Sequence, residues 1–377
     1  MKSPAQITPA FWAGKRVLVT GHTGFKGSWL SLWLSEFGAQ VSGLSLEPET
    51  HPSLFNQLHL ARRLKHHWIA DIRDFGAVAD AVVASQPQVV LHLAAQPLVR
   101  RSYRDPLGTW DTNVQGSLHV LEALKVLQHP CAVVMVTTDK VYENQEWDYG
   151  YREADRLGGH DPYSASKAAA ELAIASWRSS FCGSAGHQTS SLAIATARAG
   201  NVIGGGDWAE DRIVPDAMRA LSAGEPIPVR HPLATRPWQH VLEPLGGYLL
   251  LAEQLSRTQV APKQLEAQTA NHFASAFNFG PALESNRTVR DLVDLALQHW
   301  PGAWRDCSDP DDPHESSRLH LQIDKAHQQL DWQPRWDFAT TVARTVGWYR
   351  VVHEGGCALE ACLADLEAYQ NYTPHAH

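Results

Sequence analysis

Six short apolar runs punctuate the first half of the chain: Arg16 to Thr20, Gln40 to Leu46, His67 to Ala70, Val89 to Leu93, Ala132 to Thr137 and Ser191 to Thr196. Such near-continuous apolar text, bounded by turn formers, reads as strands buried on both faces of a parallel sheet. Between the runs, apolar positions recur at helical spacing over Phe25 to Phe37, Asp74 to Ser85, Leu107 to Leu127 and Pro162 to Phe181. Strand alternating with helix is the pattern of βαβ units, so the chain is expected to be α/β with a doubly wound parallel sheet. Asp161-Pro162 supplies an N-cap and a first-position proline, which starts the last of these helices sharply and puts Tyr163 in its first turn.

After Ala199 the pattern loosens into Gly- and Pro-rich text, including Gly204-Gly205-Gly206 and Pro226-Ile227-Pro228. Helical stretches return at Leu242 to Leu255 and Val289 to His299, separated by a polar segment, Ser256 to Asn271, that reads as a surface excursion. Asp309 to Pro313 reads as an acidic turn. These features predict a Rossmann-like domain over residues 1–198, to which the chain returns near 237–258. A smaller mixed α/β carboxyl-terminal lobe then takes 199–236 and 259–377.

Composition narrows the class. A chain of 377 residues with 44% hydrophobic residues and 14 Trp can bury a large core. A formal net charge of -8 argues against a nucleic-acid or anionic-membrane partner. Five Cys without CxxC spacing suggest neither a disulfide framework nor a zinc site, and the 20 His are scattered, so no metal is expected. The amino terminus has no apolar signal core, and no run of about 18 apolar residues occurs. A cytoplasmic location is the expectation.

Gly21-His22-Thr23-Gly24-Phe25-Lys26-Gly27 directly follows the first strand and opens a helix. Glycines in that context serve a tight turn, close approach of backbone to a pyrophosphate, and close helix packing, with the phosphates at the helix amino end. Asp71-Ile72 and Leu93-Ala94-Ala95-Gln96 follow the third and fourth strands, where the same sheet edge presents adenine and ribose contacts. The second strand ends Leu44-Ser45-Leu46, with Glu47 displaced by two. Ser45 is neutral and tolerates either cofactor; NAD is the expectation, with NADP open. Lys26 and His22 read either as phosphate-attracting or as solvated loop residues.

Thr137-Thr138-Asp139-Lys140 stands at the carboxyl end of the fifth strand, and Tyr163 and Lys167 follow at i,i+4 spacing on one helix face. A lysine ammonium beside a phenol lowers its pKa, so Tyr163 reads as a base for a hydroxyl proton while hydride leaves. An acid next to this pair suggests redox chemistry combined with elimination.

Five blocks carry a closer likeness: Gly21 to Leu30 (GHTGFKGSWL), Ala94 to Tyr103 (AAQPLVRRSY), Thr137 to Asn144 (TTDKVYEN), Asp161 to Glu171 (DPYSASKAAAE) and Ala197 to Asp216 (ARAGNVIGGGDWAEDRIVPD). In these the chain resembles the extended short-chain dehydrogenase/reductase superfamily and, within it, most of all the CDP-glucose 4,6-dehydratases. The resemblance implies CDP-glucose as substrate and a redox-neutral dehydration. Tyr163 would take the 4-hydroxyl proton with Thr138 on the same oxygen, and Asp139 would be the general acid on the departing 6-hydroxyl. It also implies a cofactor contact at Asn113 and places Ser102, Arg198, Asn201, Arg212 and Arg236 toward the nucleotide sugar, with arginine forks suited to a diphosphate. Where dTDP-glucose dehydratases carry Glu, this chain has Lys140; it would serve as C5 base or as a positioning charge, with Glu143 the other candidate base. The motif Asp331 to Trp336 is assigned to packing. Pairing of the helices at 107–127 and 162–181 with a second copy would give a homodimer or a dimer of dimers. The competing readings are a nucleotide-sugar 4-epimerase, a dehydratase of another NDP-hexose, and a non-catalytic NAD(P)-binding sensor.

Overall fold

The computed structural model describes residues 5–182, 191–260, 272–309 and 319–372. Seven parallel strands form the central sheet: β1 (Arg16–Thr20), β2 (Gln40–Ser45), β3 (His66–Ile69), β4 (Val89–His92), β5 (Cys131–Val136), β6 (Leu192–Ala199) and β7 (Ala276–Phe279), in the order β7-β6-β5-β4-β1-β2-β3. The order reverses between β1 and β4, which opens a crevice at their carboxyl ends. This is the expected Rossmann-like sheet.

Alternation along each strand feeds two cores. Val17, Val19, Leu91, Val134 and Ala197 face one side, packed with α1 (Phe25–Glu36) and the later helix Leu242–Val260. Leu18, Val90, Val133 and Ile194 face the other, against α2 (Phe75–Ser85), α3 (Gly116–Leu124) and α4 (Pro162–Phe181). Trp29 and Trp33 of α1 are fully buried, which explains part of the chain's tryptophan content.

Several boundaries differ from expectation. The segment 107–127 is not one α-helix: a short helix, Pro106–Trp110, leads into a π-helical turn, Asp111–Gln115, before α3. The wider turn carries Asn113 inward, where Oδ1 accepts from the Gln96 amide (2.9 Å) and Nδ2 donates to Ser166 Oγ (2.9 Å). β7 was not foreseen; its segment lies in the stretch assigned above to the lobe, yet it pairs with β6. Helix α5 (Leu242–Val260) runs through Ser256–Gln259, and residues 261–271 lie outside the described residues. Of the acidic turn, Asp309 alone is described.

Trp332 and Trp336 are buried, and the backbone amides of Arg335 (3.0 Å) and Trp336 (2.7 Å) donate to Glu243 at the start of α5. The motif therefore packs the carboxyl-terminal helices α6 (Phe338–His353) and α7 (Ala358–Gln370) onto the sheet's first core. Among the described residues no helix is long and apolar enough to cross a membrane.

Candidate active site

Gly21 adopts φ +75°, and a Cβ built there would lie 2.7 Å from the Ala94 nitrogen. A Cβ on Gly27 would run into the Gly21 carbonyl oxygen and come within 2.7 Å of His22 Cα. Both obstacles are backbone, so these two positions admit only glycine, and the β1-to-α1 loop lies tight against the loop after β4. Thr23 Oγ1 donates to the Leu46 carbonyl (2.8 Å) and sits 2.8 Å from Ser45 Oγ, which ties the glycine loop to the end of β2. Asp71 is ion-paired with Arg73 (2.6 Å), and Ile72 is buried against Gly116. Gln96 Nε2 donates to Thr109 Oγ1 at 2.9 Å. Gly24, Phe25, Leu93 and Ala95 complete a rim along the carboxyl edge of the sheet.

Neither His22 nor Lys26 is a solvated loop residue. His22 is fully buried with Nε2 2.7 Å from Nδ1 of His67, and burial lowers its pKa to about 3. Lys26 reaches inward to the region of Asp139, Lys167 and Arg212, and burial, then the Arg212 charge, lowers its ammonium to about 8.

At the end of β5 the chain enters a 3-10 turn, Asp139–Val141, capped by Thr138 Oγ1, which accepts from Lys140 N (3.3 Å) and donates to Asp139 Oδ1 (3.0 Å). Asp161 caps α4 through the Ser164 amide (2.9 Å), with Pro162 first in the helix, so Tyr163 is held within reach of a hydrogen bond to Thr138. Thr138, Asp139, Tyr163 and Lys167 are all buried. Burial pushes the Asp139 carboxyl upward against the opposing charge of Lys140.

Tyr163 behaves differently from the expectation of a depressed phenol. Burial pushes it up to about 12, with the Thr138 hydrogen bond acting downward and Asp139 upward. Lys167 donates to the Val136 carbonyl (3.2 Å), and burial lowers its own pKa to about 8. Desolvation of the phenolate outweighs the charges around it.

The glycine run after β6 aims Arg212. Trp29 Nε1 donates to the Gly205 carbonyl (2.9 Å), Gly206 takes φ +81°, and Tyr349 of α6 donates to the Asp207 carbonyl. The Asp207 carboxylate then holds Arg212 at 2.8 Å, close enough for its charge to act on Tyr163 and Lys26. Asn201 is exposed just past β6. Arg236 lies on a strand, Thr235–Pro237, paired antiparallel with Asn286–Thr288, and donates to the Thr235 carbonyl (2.9 Å).

Three expected contacts are committed elsewhere. Arg198 is buried in a two-pronged ion pair with Glu171 (2.9 and 3.0 Å), so it is not free to bind a diphosphate. Ser102 is buried with its hydroxyl donated to the Val99 carbonyl (2.7 Å), as helical serines commonly are. Glu143 is half-exposed and paired with Arg156 at 3.0 Å. Sequence reasoning also missed Asp207 and Glu171. The latter had a signal, since it falls one helical turn after Lys167.

Residues 18–345 match the family model described as GDP-mannose 4,6 dehydratase. The chain belongs to this family of nucleotide-sugar 4,6-dehydratases. Such dehydratases are hydro-lyases, and this chain is an enzyme of that class. It is 44% identical to a CDP-glucose 4,6-dehydratase of Salmonella typhimurium, over 97% of this chain and 99% of that one. A dTDP-glucose 4,6-dehydratase of Streptomyces antibioticus is 33% identical over 74% of this chain and 75% of its own length. In three dimensions the dehydratase resembles DesIV of Streptomyces venezuelae, a dTDP-glucose 4,6-dehydratase solved with NAD bound. The TM-score is 0.72 at 24% identity, covering 91% of this chain and 99% of DesIV.

Proposed function

We propose that this dehydratase converts CDP-glucose to CDP-4-keto-6-deoxyglucose and water with NAD as resident cofactor. The observation that carries the reading is the shared hydrogen-bonded cluster of Thr138, Asp139 and Tyr163. It puts a buried acid beside the base that takes the 4-hydroxyl proton, which a 4-epimerase or a non-catalytic sensor has no use for. Similarity to the Salmonella typhimurium enzyme, greater than to the dTDP-glucose relative above, supports the CDP-sugar over other NDP-hexoses.

The residues fit the cofactor. Gly21 and Gly27 leave room for backbone alone, so the amino end of α1 can face a pyrophosphate, and neutral Ser45 with Thr23 suits ribose hydroxyls. Bound there, NAD would supply a hydride acceptor and then a hydride donor, as a redox-neutral conversion requires. Tyr163 takes the 4-hydroxyl proton while Thr138 hydrogen-bonds the same oxygen. The ketone acidifies the C5 proton, which Lys140 removes as the neutral amine and gives back to C5 when hydride has reached C6; Glu143 is already tied to Arg156. Asp139, whose carboxyl burial shifts toward the protonated form, gives its proton to the leaving 6-hydroxyl, so water departs and the 5,6 double bond forms. Lys26, Lys167 and Arg212 place positive charge around this pocket, where a phenolate and a diphosphate both need it.

The seven-stranded sheet with its flanking helices, β7 included, serves the cofactor, and Asn201, Arg212 and Arg236, past β6, serve the sugar nucleotide. Tyr103 (57% exposed), Leu107 (82%), Trp110 (41%) and Leu172 (61%) leave apolar surface beside α4 that supports a homodimer. Unpaired Cys131 and Cys362, both buried thiols, suit a reducing cytoplasm.

Turnover with CDP-glucose, dTDP-glucose, GDP-mannose and UDP-glucose side by side tests the reading. A 4-keto-6-deoxy product from CDP-glucose without net reduction of the cofactor is expected. Preference for another nucleotide, or a C4 epimer as product, would overturn it.

A further inference from the structure

The turn that carries Asp139 is held at both ends by one buried ion pair. Before the turn, Thr137 Oγ1 donates to Glu171 Oε1 at 2.6 Å. After it, the Tyr142 hydroxyl accepts from Arg198 Nη1 at 2.8 Å, with the guanidinium also over the Tyr142 ring, 5.0 Å from its centroid. Between them, Arg198 Nε and Nη2 grip the two oxygens of Glu171 at 2.9 and 3.0 Å. Thr196 Oγ1 supplies a fourth donor at 2.8 Å, so the carboxylate is fully occupied. Tyr142 in turn donates to Asn278 Oδ1 (2.7 Å) on β7.

Glu171 belongs to the same helix as Tyr163 and Lys167. The pair therefore links the helix bearing the phenol and the ammonium to both ends of the turn bearing the acid. Stability by itself does not call for such a pair, because buried ion pairs are often matched or exceeded by apolar replacements of similar volume. What an apolar pair lacks is directional hold.

We propose that Glu171 and Arg198 are positioning residues that lock the Thr138–Val141 turn in register with Tyr163 and Lys167, so that breaking the pair slows turnover without weakening substrate binding. The proposal rests on the dehydratase chemistry above and adds a role for two residues that touch neither sugar nor cofactor. Misplacement of reacting groups by about 1 Å costs on the order of 100-fold in rate.

The decisive variant is the double replacement Glu171→Met with Arg198→Met. It removes both charges together and so leaves no unpaired buried charge. The expected result is a protein melting near the parent's temperature, with kcat lower by roughly 30-fold or more and KM within about twofold. A well-folded double variant with undiminished kcat overturns the proposal. Should that variant fail to fold, Arg198→Lys keeps the charge and loses the fork. A kcat drop of about 10-fold at unchanged KM is then expected, and no drop is the refuting outcome.

A further readout separates positioning from mere support. Lys167 lies near Glu171 on its own helix, the Val136 carbonyl at the end of β5, His92 on β4 and Lys26 on α1. Glu171 is the group that raises it against burial. Removing that carboxylate should move the basic limb of the kcat profile to lower pH, and an unmoved limb argues against the coupling. The parent enzyme assayed in parallel keeps the two ideas apart, since no product from CDP-glucose sinks the substrate reading alone. Independently of any substrate, a crystal structure of the double variant should show the Thr138–Val141 turn displaced from α4; a superimposable turn also overturns the proposal.

Discussion

Replacing Asp139 with Asn isolates the acid step. The carboxyl is 4% exposed, accepts from Thr138 Oγ1 at 3.0 Å, and is so closely packed that a Cβ on Gly200 would sit 2.5 Å from Oδ2. Asparagine has the same shape, and its amide oxygen can take the Thr138 bond, so the geometry of Tyr163 and Lys167 should persist. What disappears is the transferable proton. General acid catalysis contributes about 100- to 10,000-fold, or roughly 3 to 5 kcal/mol of transition-state stabilisation. Formation of the 4-keto-6-deoxy sugar should fall by that factor. Hydride transfer from C4, followed as nicotinamide absorbance in a single turnover, should stay within about threefold of the parent, because Thr138 and Tyr163 are intact.

The same variant has a stability signature. Burial raises the Asp139 pKa above its unfolded value, so its stability contribution is present at low pH and is lost as pH rises through the folded value. The amide of the Asp139→Asn variant cannot ionise, and its melting temperature relative to the parent should therefore improve as pH rises from acid to alkaline. Dehydration at the parental rate, or loss of C4 oxidation along with dehydration, would refute the assignment of Asp139 as an acid acting after oxidation.

Lys140→Ala should abolish exchange of the C5 hydrogen with deuterated solvent while leaving C4 oxidation measurable; exchange at the normal rate assigns the base elsewhere. Gly27→Ala puts a Cβ into the Gly21 backbone, so a destabilisation of about 1 to 3 kcal/mol and weaker NAD binding are expected from a thermal melt and a cofactor titration, and a neutral effect would contradict the cradle. Burial raises Glu243 from 4.5 to about 7, so the fold loses on the order of 3 kcal/mol as pH climbs through that window. Glu243→Gln should flatten the pH dependence of melting between those values, and an unchanged slope would show that other groups set it.

The elements legible in the sequence are those whose signal is local. Apolar runs marked six of the seven strands, the glycine spacing marked the loop where backbone must approach backbone, and Asp161-Pro162 marked where α4 begins. Less legible were elements whose character depends on a distant partner. Ala276–Phe279 is only four residues, and it becomes a strand because β6 offers it an open edge. The helical pattern across 107–127 concealed a π turn that exists because Asn113 must reach Gln96 and Ser166.

The site divides along the same line. Residue types and order were enough to determine that a dinucleotide loop, an acid, a phenol and a lysine belong to one chain, since each motif is contiguous or within one helical turn. Which arginine is free was not decided there. Arg198 and Arg212 look alike in sequence, yet one is consumed by a carboxylate from another helix while the other is carried by Asp207 to the region of Tyr163. The direction of each pKa was likewise settled by tertiary structure, because burial is a property of everything that packs around a group: it raises Asp139 and Tyr163 and lowers Lys26 and Lys167.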